Sequence, residues 1–199
     1  MILPIIAYGT PVLRKMAADI PKDYPKLKDL VANMFETMYN AKGVGLAGPQ
    51  VGLSLRIFVA DSAQVLEDVP EDNDFAGEKG IKKVFINAEI IEESGEAWAY
   101  DEGCLSIPNI NESVTREEQV RIQYYDADFN FYDEVYTGFT ARVIQHEYDH
   151  IEGILFTDHI SPLKLRMMKR KLEKISKGDV DVNYRMKFPV AKKKGMKRR

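Results

Sequence analysis

The 199 residues suffice for one domain that buries about two-thirds of its unfolded surface, and 45% hydrophobic with 30% charged residues excludes wholesale disorder. No apolar run approaches the roughly 20 residues of a membrane-crossing helix, which excludes that class. The net charge of -3 conceals an asymmetry, because residues 1–163 hold 13 basic and 28 acidic side chains whereas residues 164–199 hold 15 and 3. Such a basic end either contacts a polyanion, ribosomal or other RNA, or stays a solvated arm. A single cysteine forms no internal disulfide, and Met-Ile-Leu-Pro-Ile-Ile at the start matches neither a secretory leader nor an import presequence. A cytoplasmic setting is therefore expected, with no membrane and no DNA partner.

In chain order, Leu27, Leu30, Val31, Met34, Phe35 and Met38 recur at helical spacing and predict an amphipathic helix over 26–40. Residues 41–50, with three glycines and a proline, predict a loop of special backbone geometry. Residues 55–61 and 84–91 are rich in branched apolar side chains and predict strands, with an exposed, mobile acidic loop over 62–80 between them. Residues 120–135 predict a hairpin turning at 127–130. Residues 140–152 predict a helix carrying Val143, Ile144, Tyr148 and Ile151, and 162–177 a second, basic helix. The order predicts an α+β fold: mainly antiparallel sheets around a central helix, plus a C-terminal helix. Residues 1–177 would be a single catalytic domain and 178–199 a basic, flexible tail.

His146-Glu-Tyr-Asp-His150 carries the sharpest chemistry. Residues four apart on a helix share one face, so both imidazoles can hold one ion, and Glu147 stands where it can take a proton from water. A catalytic site of this kind needs a third protein ligand and an open fourth position. Position 156 is phenylalanine rather than the histidine a metzincin requires, His159 falls past the helix end, and Glu173 sits among lysines. Cys104 remains, in Glu102-Gly-Cys-Leu-Ser106. Lone cysteines are commonly buried small hydrophobes, and a thiolate nucleophile is the rival chemistry, but that reading leaves one histidine and Glu147 without roles.

Gly43-Val-Gly-Leu-Ala-Gly-Pro-Gln50, Glu102-Gly-Cys-Leu-Ser106 and Gln145-His-Glu-Tyr-Asp-His150 together resemble peptide deformylase, and the resemblance runs from about residue 3 to residue 175. It implies hydrolysis of the formyl group from the N-terminal formyl-methionine of nascent polypeptides, releasing formate. It implies Cys104, His146 and His150 as ligands of one divalent ion, ferrous iron with zinc, nickel or cobalt as substitutes. Glu147 would be the general base and acid, and the Gln50 amide and Leu105 N–H the oxyanion donors. Val44, Tyr100, Phe139, Arg142 and Val143 would wall a methionine pocket, and Gly45 and Gly103 would lie against the substrate backbone. The Arg142 guanidinium is expected to reach solvent from that wall and favour acidic residues further along the peptide. Glu102 and Arg116 would form an ion pair. Gly48 departs from the alanine usual in the family and is expected to loosen its loop slightly.

Overall fold

The computed structural model describes residues 1–67, 69–70, 72 and 75–189. β1 (Ile5–Ile6) precedes α1 (Leu27–Asn40), which buries Leu27, Met34 and Met38 on one side, the expected face. β2 (Gly45–Ala47) is short, and at its end residues 48–51 form a turn of 3-10 helix that buries Gln50. Close packing, not looseness, explains the glycine at 48: a Cβ there would lie 2.7 Å from the Leu55 carbonyl oxygen. β3 (Ile57–Asp61) is buried along its whole length.

The acidic stretch after β3 differs from the expected mobile loop. It begins with a turn of helix, α2 (Ala63–Leu66), held where Ser62 bonds the Thr140 hydroxyl at 2.8 Å and accepts the Ile81 N–H at 3.0 Å. Phe75 then packs its ring 5.7 Å from Trp98, 5.6 Å from Tyr100 and 5.4 Å from Phe139. Acidic composition hid these anchors, since one aromatic among carboxylates gives no periodic signal.

β4 (Lys82–Cys104) and β5 (Ile107–Tyr125) are far longer than expected and pair antiparallel almost throughout. Beyond Ile91, β4 is glutamate-rich and mostly exposed, so its strand character comes from ladder pairing rather than from burial of alternate side chains. β6 (Phe131–Thr137) follows a turn in which Asp126 Oδ1 accepts the N–H groups of Asp128 and Asn130 at 2.8 and 3.0 Å, the turn chemistry of an aspartate. The antiparallel sheet runs in the order β2, β3, β4, β5, β6, leaving β2 as an edge.

α3 (Gly138–Glu152) buries all but two of its residues and packs against β2, β3, β5 and β6. Its first turn is closed from outside: the Phe139 N–H donates to Glu78 at 3.0 Å. Gly153, at φ 77°, ends it in the left-handed conformation that glycine tolerates. α4 (Pro162–Ser176) is capped by Ser161 and buries Met168, Leu172 and Ile175. The tail expected from 178 instead stays on the body through residue 189: β7 (Met186–Lys187) pairs parallel with β1. Val180, Val182, Tyr184, Met186 and Phe188 alternate with exposed polar residues, a period-two signal masked by the basic charge around it. The rest of that expected tail, 190–199, lies outside the described residues.

Candidate metal centre and substrate cleft

The β4–β5 hairpin brings its tip to α3. Cys104 closes β4, and the donor atoms of Cys104, His146 and His150 all lie within 4.8 Å of one another, with Cys104 Sγ 3.2 Å from His150 Nε2. Among the described residues these three alone form such a group. The donor set fits a single ion: a thiolate and two imidazoles suit zinc, iron, nickel or cobalt, and three protein ligands leave a place for water. Burial pushes the Cys104 thiol up, yet His150 and His146 more than offset it and bring the group down to about 5. It therefore faces the histidines as a thiolate at neutral pH, the form that binds metal.

The ligands are held by a buried ionic lattice. His146 Nδ1 lies 2.9 Å from Glu102 Oε2, so the imidazole is oriented with its other nitrogen toward Cys104. Arg116 grips the same carboxylate twice, at 2.7 and 3.0 Å, and Arg142 a third time at 3.1 Å. Burial would raise Glu102, but its bonds to His146 and Arg116 prevail and hold it well below the usual carboxylate range. Arg116 continues to Asp149 at 2.9 Å, and Asp149 to His159 Nε2 at 2.7 Å. Asp149 is thus a support for the site and His159 its outer end, neither standing in the ligand group.

Arg142 corrects an expectation. It is 3% exposed, and its guanidinium, instead of reaching solvent, bonds Glu102, the Val114 carbonyl at 3.1 Å and the Trp98 carbonyl at 2.7 Å while lying 4.3 Å over the Trp98 ring. The buried Glu102 carboxylate outcompetes solvent for it, because an ion left unpaired in the interior is costly.

Glu147 points at the same centre. Its Oε2 is buried without a hydrogen-bond partner among the described residues, and burial, partly opposed by His146 and His150, pushes its carboxyl up to about 7. A carboxyl titrating near neutrality can both accept and return a proton. Gly45 makes room for it: a Cβ at 45 would lie 2.4 Å from Glu147 Oε1. Gln50 accepts the Ala47 N–H on its carbonyl oxygen at 2.7 Å and turns its amide nitrogen to within 3.4 Å of Cys104 Sγ. One amide thereby caps the loop and faces the site.

A cleft of about 490 Å³ opens onto these groups. Val44, Gly45, Gln50, Tyr100, Gly103, Cys104, Leu105, Phe139, Arg142, Val143, His146 and Glu147 all line it, while His150 reaches the centre from α3 without lining it. Tyr100 and Phe139, rings 6.0 Å apart, join Val44 and Val143 against one core cluster as an apolar wall. Sequence reasoning missed Lys42, Asn109, Asn111 and residues 181–184, which also line the cleft.

Two helical histidines, a strand-end thiolate, a buried carboxyl near neutral pH and an amide donor on one cleft define a metal-dependent hydrolase. The family model described as polypeptide deformylase matches residues 2–166. A peptide deformylase of Christiangramia forsetii is 59% identical over 196 residues, covering 97% of this chain and 99% of that protein, and one from Flavobacterium johnsoniae is 56% identical over 97% and 99%. The crystal structure of a peptide deformylase from Legionella pneumophila is 36% identical, with a TM-score of 0.75, over 90% of this chain and 98% of that one. The chain belongs to the polypeptide deformylase family.

Proposed function

We propose that the chain removes the formyl group from the N-terminal formyl-methionine of nascent polypeptides, with Cys104, His146 and His150 holding one divalent ion. The observation that carries this reading is the convergence of those three donors with Glu147 and Gln50 on one cleft. When bound, the ion supplies a Lewis acid that makes water nucleophilic near neutral pH and polarises the formyl carbonyl. Glu147 takes the proton of the attacking water as the C–O bond forms, and returns it to the amine nitrogen as the C–N bond breaks, giving formate and a free N-terminus. The Gln50 amide and the Leu105 N–H donate to the developing oxyanion, each contributing about 2 to 4 kcal/mol.

Val44, Tyr100, Phe139 and Val143 receive the methionine side chain, and the stem of Arg142 fills behind them. Gly45 on edge strand β2, with Gly103 across the cleft, leaves backbone groups for the peptide to pair with as an added strand. Ferrous iron is the metal we favour, on the sequence resemblance alone, since the thiolate and imidazole donor set suits zinc, nickel or cobalt as well. No helix among the described residues is long and apolar enough to cross a membrane; action in the cytoplasm is proposed from the lone cysteine and the sequence resemblance. The basic C-terminal segment is proposed to contact the ribosome. Residues 1–189 then act as one catalytic unit.

Formate release from formyl-Met-Ala-Ser tests the reading. Glu147→Ala is expected to lower kcat by about two to four orders of magnitude with metal content unchanged. Full activity in that variant, or none in the metal-replete parent, would contradict it.

A further inference from the structure

Residues 179–189 lie outside the stretch that the family model matches, which ends at 166, yet they build part of the cleft. The strap is tied down at four points: Ile5 N–H to the Arg185 carbonyl at 2.9 Å, Ala7 N–H to the Lys187 carbonyl at 2.9 Å, Asn109 Nδ2 to the Asp181 carbonyl at 3.3 Å, and the Tyr184 hydroxyl to the Leu105 carbonyl at 2.8 Å. Asp181, Val182, Asn183 and Tyr184 line the cleft that also holds Cys104 and Glu147. The methionine wall packs on one core cluster, whereas Leu105 and Tyr184 pack on another. The strap therefore bounds the cleft from a different side, and residues 40–43 line it as well.

The charges along this part of the cleft are unbalanced. Arg142 is paired with Glu102, which leaves one cation, Lys42, and two carboxylates, Asp101 and Asp181, among the residues lining this part of the cleft. Among the described residues none of these three takes part in an ion pair. Asp181 is exposed while its own backbone carbonyl is held by Asn109, so its charge stands on a fixed wall.

Resting on the deformylase reading, we propose that the strap is the outer wall for the second and third residues of the peptide, and that Asp181 selects a cationic side chain there. The substrate class so favoured is a formyl-methionyl peptide with lysine or arginine just after the methionine. The preference is electrostatic and weakens with salt, since charges at an open rim are screened.

The test uses the full-length, metal-loaded enzyme and two peptide pairs: formyl-Met-Ala-Lys against formyl-Met-Ala-Glu, and formyl-Met-Lys-Ala against formyl-Met-Glu-Ala. The readout is the ratio of kcat/KM within a pair, which cancels losses of folding or metal. In at least one pair the parent is expected to favour lysine, and Asp181→Lys to cut that ratio about five- to tenfold, the scale of reversing one exposed charge at close range. Asp181→Asn should fall between, and about 0.5 M salt should shrink the parent's ratio. A parental ratio near one in both pairs, or ratios unchanged in Asp181→Lys, overturns the proposal. No formate from any peptide overturns the deformylase reading itself.

Discussion

Gly45 and Glu147 share one space, so neither can be altered alone. With Glu147 Oε1 2.4 Å from where a Cβ at 45 would stand, Gly45→Ala must displace either the carboxyl or β2, an overpacking cost of about 1 to 3 kcal/mol. The expected outcome is a kcat at least tenfold lower with a modestly lower Tm; unchanged kcat would show that the carboxyl has slack. Glu147 itself was legible in the sequence, because the interval from His146 to His150 fixes which residues share a helix face. Gly45 was expected only against the substrate backbone, and its fit to Glu147 was not legible, since the clash partner lies about a hundred positions away. Arg142 illustrates the same limit in reverse. A cation on an apolar wall is sensibly sent to solvent, unless a buried carboxylate waits for it, and Glu102 does.

Among the elements, α1 and α4 were readable because each buries one periodic face; β3 was readable as a short run of branched apolar residues, and α3 from apolar residues at helical spacing although nearly all of it is buried. The outer half of β4 was not, for its glutamates pair across a ladder instead of filling a core. The strap at 179–189 carries a clear alternation that charge obscured, and its main anchor inside the cleft is Tyr184. Burial pushes the Tyr184 hydroxyl up to about 12 from an ordinary 10.0. The folded chain thus keeps a proton that the unfolded chain releases, and the stability Tyr184 contributes is full below pH 10 and lost as pH rises through 12. Tyr184→Phe is expected to be about 0.5 to 1.5 kcal/mol less stable than the parent at pH 8, and the gap should close toward pH 12. Thermal unfolding of both proteins across that range checks the sign, and a widening gap would contradict it.

For the molecule as a whole, the strap and α4 belong to the catalytic body: Met168, Leu172 and Ile175 are buried in the cluster that Phe188 and Met186 pack against. A truncation meant to remove only the basic end must therefore begin after Pro189. The ion ties together two distant parts of the chain, the β4 end and α3, so it should stabilise the fold by mass action, about 2.7 kcal/mol at a hundredfold excess over Kd. The most direct measurement is a titration of the metal-free protein with ferrous iron under anaerobic conditions, following formate release from formyl-Met-Ala-Ser. Activity is expected to rise from none and to saturate at one ion per chain, with Cys104→Ser failing to reach the parent's plateau. Formate released without metal, or full activity in Cys104→Ser at the same stoichiometry, would contradict a centre built on Cys104, His146 and His150.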